Sequence, residues 1–174
     1  MSSSPDSVSM YQASVPVFRQ MLSALSDILA KAAVHAETRK VDQTVLLQSR
    51  LALDMFPLVR QVQIACDFAR SVPARLAAVE VPAYDESEQD VAGLQARIAS
   101  TVAFLDSLGE AQFEGSDALE IVLRPGTPKE KKLSGRAYLL NYGLPQFFFH
   151  VTTAYNLLRH NGVEIGKKDY MGSY

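Results

Sequence analysis

The stretch Phe18-Arg19-Gln20-Met21-Leu22-Ser23-Ala24-Leu25-Ser26-Asp27-Ile28-Leu29-Ala30-Lys31-Ala32 sets the reading of the whole chain. Its apolar side chains recur at Phe18, Met21, Leu22, Leu25, Ile28, Leu29 and Ala32. That i, i+3, i+4, i+7 spacing is the stripe of a helix that buries one face and solvates the other. A helix over Ser9 to His35 is therefore expected, ending where Glu37-Thr38-Arg39-Lys40 breaks the stripe.

Working outward, Asp42 is expected to cap a short helix over Gln43 to Leu47. A second long helix is expected from near Asp54, with Pro57 in its first turn, where a missing N–H costs little. Its stripe is Leu58, Val62, Ala65, Cys66, Ala69, Val72, Leu76 and Val79, and Pro73 should kink or divide it. Val81 to Glu86 is a loop, after which Ser87, with Asp90 three residues on, is expected to cap a third helix. That helix carries Val91, Leu94, Ile98, Val102, Leu105 and Leu108, with Gly109 as its stop. The period then changes: Leu119, Ile121 and Leu123 alternate with Glu120, Val122 and Arg124, the pattern of a strand. Pro125-Gly126-Thr127-Pro128 turns the chain, and Lys131 to Ser134 returns as a second strand. A fourth helix, capped by Ser134, should run from Gly135 to His160 on the stripe Leu140, Leu144, Phe147, Val151, Ala154 and Leu158, and Asn161-Gly162 ends it. The tail from Val163, with Ile165, Tyr170 and Met171, is expected to pack back on the helices. The expected fold is all-α: one domain over residues 1–174, an antiparallel four-helix bundle with a small β-hairpin between its third and fourth helices.

Composition agrees with a packed domain. Apolar residues make up 48% of the 174 and charged residues 21%, which leaves ample side-chain volume for a core. The formal net charge of -2 gives no electrostatic reason to favour nucleic acid or an anionic membrane. Cys66 is the sole cysteine and cannot form an internal disulfide. Met1-Ser2-Ser3-Ser4-Pro5-Asp6 lacks the basic start and apolar run of a signal peptide, so the cytoplasm is the expected compartment.

Three histidines invite a search for a metal site between helices: His35, His150 and His160. None forms a His-x-x-x-His or His-Glu-x-x-His pair. His35 and His160 fall at expected helix C-termini, where the helix dipole favours an imidazolium. His150 shares a face with Gly143, Phe147 and Ala154 and borders the core, as a hydrogen-bonded core histidine or as a weak metal ligand. Gln61 interrupts the second apolar stripe on a face shared with Asp54; a buried glutamine needs partners for both halves of its amide, so it reads as a structural hydrogen bond across helices or as pocket lining with His150. Gln61, His150, Asp54 and Tyr155 are thus the candidate lining of a pocket between the second and fourth helices, although Asp54 also reads as an N-cap. Arg60 and Asp67, on a more polar side with Gln63 and Arg70, read as a solvated face or as an interhelical ion pair worth little. Cys66 reads as a core residue. Phe147-Phe148-Phe149 is too broad for one buried face and leaves apolar surface for a second copy or a covering tail. Tyr138 and Tyr142 add hydroxyl donors. Phosphate-loop, dinucleotide, nucleophile-elbow and Cys-x-x-Cys motifs are absent.

Three longer blocks carry a family resemblance: Met10 to Phe18, Asp54 to Ala65, and Phe149-His150-Val151-Thr152-Thr153-Ala154-Tyr155 running into Leu158-Arg159-His160-Asn161-Gly162-Val163. They resemble a bacterial family of unknown function within the DinB-like and YfiT-like metalloenzyme superfamily. The resemblance implies the four-helix bundle and a homodimer. It also implies a divalent metal held by one histidine of the second helix and a His-x-x-x-His pair of the fourth, with thiol-dependent transferases and isomerases among the members of known activity. His150 matches the first histidine of the pair, but the matching second position is Ala154, and the second helix has no histidine; Gln61 or Asp54 would stand in. Three functions follow in order: a small-molecule-binding bundle without the full metal site or any cofactor; a divalent-metal-dependent transferase or hydrolase; and a non-enzymatic homodimer acting through protein contacts.

Overall fold

A computed structural model describes residues 7–174; the reading of Met1 to Asp6 lies outside them. The chain is mostly helical with one two-stranded sheet. Helix α1 spans Val15–Arg39, α2 Gln43–Leu47, α3 Leu58–Leu76 and α4 Val91–Asp106. A hairpin of β1 (Glu120–Leu123) and β2 (Lys131–Ser134) follows, paired antiparallel with Ile121 opposite Leu133. Then come α5 (Gly135–Tyr138), a π turn over Leu139–Gly143, α6 (Leu144–His160) and α7 (Lys167–Met171).

The expected stripes make the core. Phe18, Leu22, Leu25 and Leu29 of α1, Leu58, Val62 and Val72 of α3, Leu94 and Leu105 of α4, and Phe147, Ala154 and Leu158 of α6 have no accessible surface. Phe18 and Phe147 meet edge to face, ring centroids 4.7 Å apart. Helix α3 packs on α6 and α4, and α1 packs on α4. The tail returns as expected: Val163 and Ile165 are buried, and α7 lies on α1, where Asp169 accepts from Lys31 and Gln20 donates to the Met171 carbonyl at 2.9 Å. No helix among the described residues is long and apolar enough to cross a membrane.

Several boundaries differ from the sequence reading, each for a local reason. Helix α1 starts at Val15 with Pro16 in its first turn, and it continues past His35 to a left-handed Lys40 (φ 55°). Ala36 is still buried, and the exposed Glu37 to Arg39 extend the helix by one further turn. His35 is accordingly an interior position. Helix α3 begins at Leu58, not near Asp54: Pro57 takes the extended N-cap conformation (φ -70°, ψ 166°). Asp54 is left exposed in a turn and caps nothing. Pro73 does not divide α3, because it stands in the last turn and only the bond to the Ala69 carbonyl is lost. Asp90, not Ser87, caps α4, accepting from the Gly93 N–H at 2.8 Å.

The fourth stripe slips for a different reason. The π turn adds a residue between α5 and α6 and rotates what lies before it by about one residue's worth of helix. Tyr138, Leu139 and Gly143 therefore face inward, and Leu140 is 49% exposed. Glycine is required at two contacts here. A Cβ on Gly143 would lie 2.8 Å from Val72 Cγ2, so the π turn approaches α3 only without one. A Cβ on Gly135 would overlap the Ser116 carbonyl oxygen at 1.8 Å, where the chain leaves the hairpin.

Candidate functional site

Helices α3 and α6 bring Gln61 and His150 together. His150 Nδ1 lies 2.7 Å from Gln61 Oε1, and Gln61 Nε2 donates to the Phe56 carbonyl at 3.0 Å. A carboxamide oxygen can only accept, so Nδ1 carries the proton and the neutral ring presents its Nε2 lone pair. Both residues are buried. Phe68 stacks on the imidazole at 6.0 Å and Phe149 meets it edge-on at 5.2 Å. Burial, reinforced by the Arg60 guanidinium and opposed by Asp67, pushes the imidazole down to about 4. The ring is therefore neutral at physiological pH, a hydrogen-bond acceptor and a weak base. Among the described residues Nε2 has no hydrogen-bond partner.

The other candidates go elsewhere. Asp54 sits in its exposed turn. The Tyr155 ring packs edge-on against Tyr170 of α7, 5.7 Å away. His160 ends α6, exposed. Cys66 is fully buried, and desolvation pushes its thiol up to about 12, so it is no nucleophile at neutral pH. In the phenylalanine run, Phe147 enters the core and Phe149 is 54% exposed. Tyr138 is buried and accepts from Arg75 Nη1 at 2.8 Å, while Tyr142 packs on Phe68. One cavity, about 570 Å³, runs along α1 past His35, Arg39 and Gly162. A second, about 400 Å³, lies beside Arg60, Gln63, Glu86 and Glu88. Neither is lined by His150, Gln61, Asp54 or Tyr155.

The polar side of α3 is a buried seam, with the interhelical ion pair, not the solvated face, as its form. Gln63, Arg70 and Arg97 are buried. Asp67 Oδ1 accepts from Arg70 Nη2 at 2.7 Å and from Arg97 Nη2 at 2.8 Å. Glu88 accepts from Arg97 Nη1 at 2.9 Å and from Gln63 Nε2 at 2.7 Å. Burial opposes the Glu88 charge, but the bonds from Gln63 and Arg97 outweigh it and hold the carboxyl below its ordinary range. Helical spacing groups Gln63, Asp67 and Arg70, yet it cannot show that Arg97 of α4 and the loop after α3 close over them.

The metal chemistry implied by the family resemblance does not fit these residues. His150 Nδ1 is committed to an amide oxygen, Ala154 offers no donor atom, and Asp54 is exposed in a turn that makes no recorded contact with the ring. Among the described residues no three His, Cys, Asp or Glu side chains are placed to hold a metal ion.

A mostly helical chain with a hairpin before its last long helix, and an imidazole–amide pair facing inward between α3 and α6, is of the DinB-like class. A family model described as a domain of unknown function (DUF1993) matches residues 10–171, and the chain belongs to that family. It is similar to the crystal structure of a DinB family member protein from Shewanella denitrificans, at 45% identity over 95% of this chain and 93% of that one, with a TM-score of 0.89. No curated protein matches it.

Proposed function

We propose that the chain is a single-domain antiparallel four-helix bundle that binds a small molecule at the His150–Gln61 pair without a metal ion or other cofactor. The observation that carries this reading is the 2.7 Å bond from His150 Nδ1 to Gln61 Oε1. It fixes one tautomer and leaves Nε2 as an acceptor for a ligand O–H or N–H. The Phe149 ring, 54% exposed and edge-on to His150, supplies apolar contact for the rest of a ligand. The buried, unpaired Cys66 suits a reducing compartment such as the cytoplasm.

The test is metal content in protein purified without an affinity tag, measured beside His150→Ala. The expected result is far less than one metal per chain in both, and a melting temperature unmoved by zinc, nickel or manganese. Near one metal per chain, lost in His150→Ala, would overturn the reading in favour of a metal-dependent transferase or hydrolase.

A second reading starts from the same exposed Phe149 ring. Leu53 and Phe56 ahead of α3, and Phe149 on α6, are exposed apolar side chains of the kind that a second copy of the chain would cover. Light scattering at micromolar concentration decides it: a dimer that Phe149→Asp dissociates supports it, and a monomer removes it.

A further inference from the structure

The run between α3 and α4 crosses the buried arginine pair as a strap. Three of its groups meet Arg70 and Arg97. The Tyr84 ring lies over Arg70, its centroid 4.2 Å from Cζ, and 5.6 Å from Cζ of Arg97. The Asp85 carbonyl accepts from Arg97 Nη1 at 2.8 Å, and the Glu88 carboxylate accepts from the same nitrogen at 2.9 Å. Glu86 adds an ion pair to Arg60. The strap thus presents an aromatic ring, a carbonyl oxygen and a carboxylate within five consecutive residues.

This occupation is incomplete. Among the described residues Arg70 Nε, Arg70 Nη1 and Arg97 Nε are buried and have no hydrogen-bond partner. Arg97 is 5% exposed and Arg70 9%. An aromatic ring attracts a guanidinium through its π face and offers no lone pair in the direction of an N–H, so the Tyr84 ring does not supply these donors with an acceptor. Unmade hydrogen bonds of buried cationic groups are expensive. The charge count has the same consequence. Asp67 and Glu88 balance the two arginines, but Glu88 belongs to the strap. Lifting the strap would remove one carboxylate and the ring together, leaving two guanidiniums against Asp67 alone.

We propose that the arginine pair is a binding site for a small aromatic carboxylate and that the strap is its displaceable internal occupant. A planar ring replaces Tyr84 on the guanidinium face. A carboxylate replaces Glu88 and reaches donors the strap leaves unmet. This site is separate from the His150–Gln61 pair and stands whether or not that pair binds a ligand.

The chain contains no tryptophan, so Ala83→Trp, at an exposed strap position, gives a single fluorescent reporter. The reporter is titrated with benzoate, with acetate (no ring) and benzamide (no charge) as controls at constant ionic strength. Benzoate is expected to shift the emission saturably and the controls are not. Adding Glu88→Gln removes the competing charge and should tighten benzoate about tenfold, whereas Arg70→Gln should weaken it by at least about tenfold. No saturable response in the reporter or in its Glu88→Gln form overturns the proposal, as does unchanged affinity in a folded Arg70→Gln chain. If Arg70→Gln does not fold, the arginine Nε–H resonances of the unsubstituted chain decide: benzoate must move those of Arg70 and Arg97, and a spectrum without such movement overturns the site.

Discussion

Acidification from about pH 7 to about pH 5 should weaken the fold through one residue, and the size follows from the burial of His150. In the unfolded chain the imidazole titrates near its ordinary 6.5; in the fold it is pushed down to about 4. Between those values the unfolded state binds the proton and the native state does not, so stability is full above about 6.5 and falls as the pH drops toward 4. Over the interval from about pH 7 to about pH 5 the loss is about 2 kcal/mol. Glu88, Asp42 and Asp169 have lowered values, so the stability they give is lost at lower pH, as their carboxylates take up protons, and they leave this interval to the histidine. The assay is urea unfolding followed by far-UV circular dichroism at both pH values, on the unsubstituted chain and on His150→Gln, which cannot take up the proton. The difference in pH dependence between the two should be about 2 kcal/mol. Equal pH dependence in both, or an unsubstituted chain equally stable at the two pH values, would refute a neutral, buried His150.

Other consequences are simpler to read. Gly143→Ala should lower stability by about 1–3 kcal/mol, measured by urea unfolding, because its Cβ meets Val72 at 2.8 Å where both backbones are fixed by packing. Asp90→Ala removes the acceptor for the Gly93 N–H and should cost about 1 kcal/mol, with Ser87→Ala close to neutral. Cys66 should resist a thiol reagent in the native protein and react fully in denaturant; rapid native labelling would contradict its burial.

The parts of the fold that could be read in advance are those governed by one local pattern. The stripes of α1, α3 and α4 came from 3.6-residue spacing, and the strand pair came from the switch to alternation at Leu119–Leu123 with a Pro-Gly turn behind it. What escaped depends on chain elements meeting. Gln61 and His150 are 89 residues apart, and spacing shows only that each faces inward, not that an amide oxygen meets Nδ1. The same limit left the seam undecided: Arg60, Gln63, Asp67 and Arg70 read as a solvated face or an interhelical ion pair, because the acid and the arginine that cover them lie on the strap and on α4. The contact of Tyr155 with Tyr170 was out of reach for the same reason, since it depends on where the tail folds back. Asp54 was misjudged through Pro57: a proline disfavours helical backbone at the residue before it, so the helix starts at Leu58 and does not reach back across Phe56 to Asp54.

The π turn at Leu139–Gly143 has a consequence for how such a chain can change length. Deleting one residue from a regular α-helix swings everything beyond it by about 100° and ruins the buried face. A deletion inside this turn would instead convert its wide hydrogen-bonded loop to α geometry, leaving Tyr138 on one side and Phe147 on the other still directed inward. The turn is a length reserve, and relatives of this chain that are one residue shorter in this helix can keep the same core.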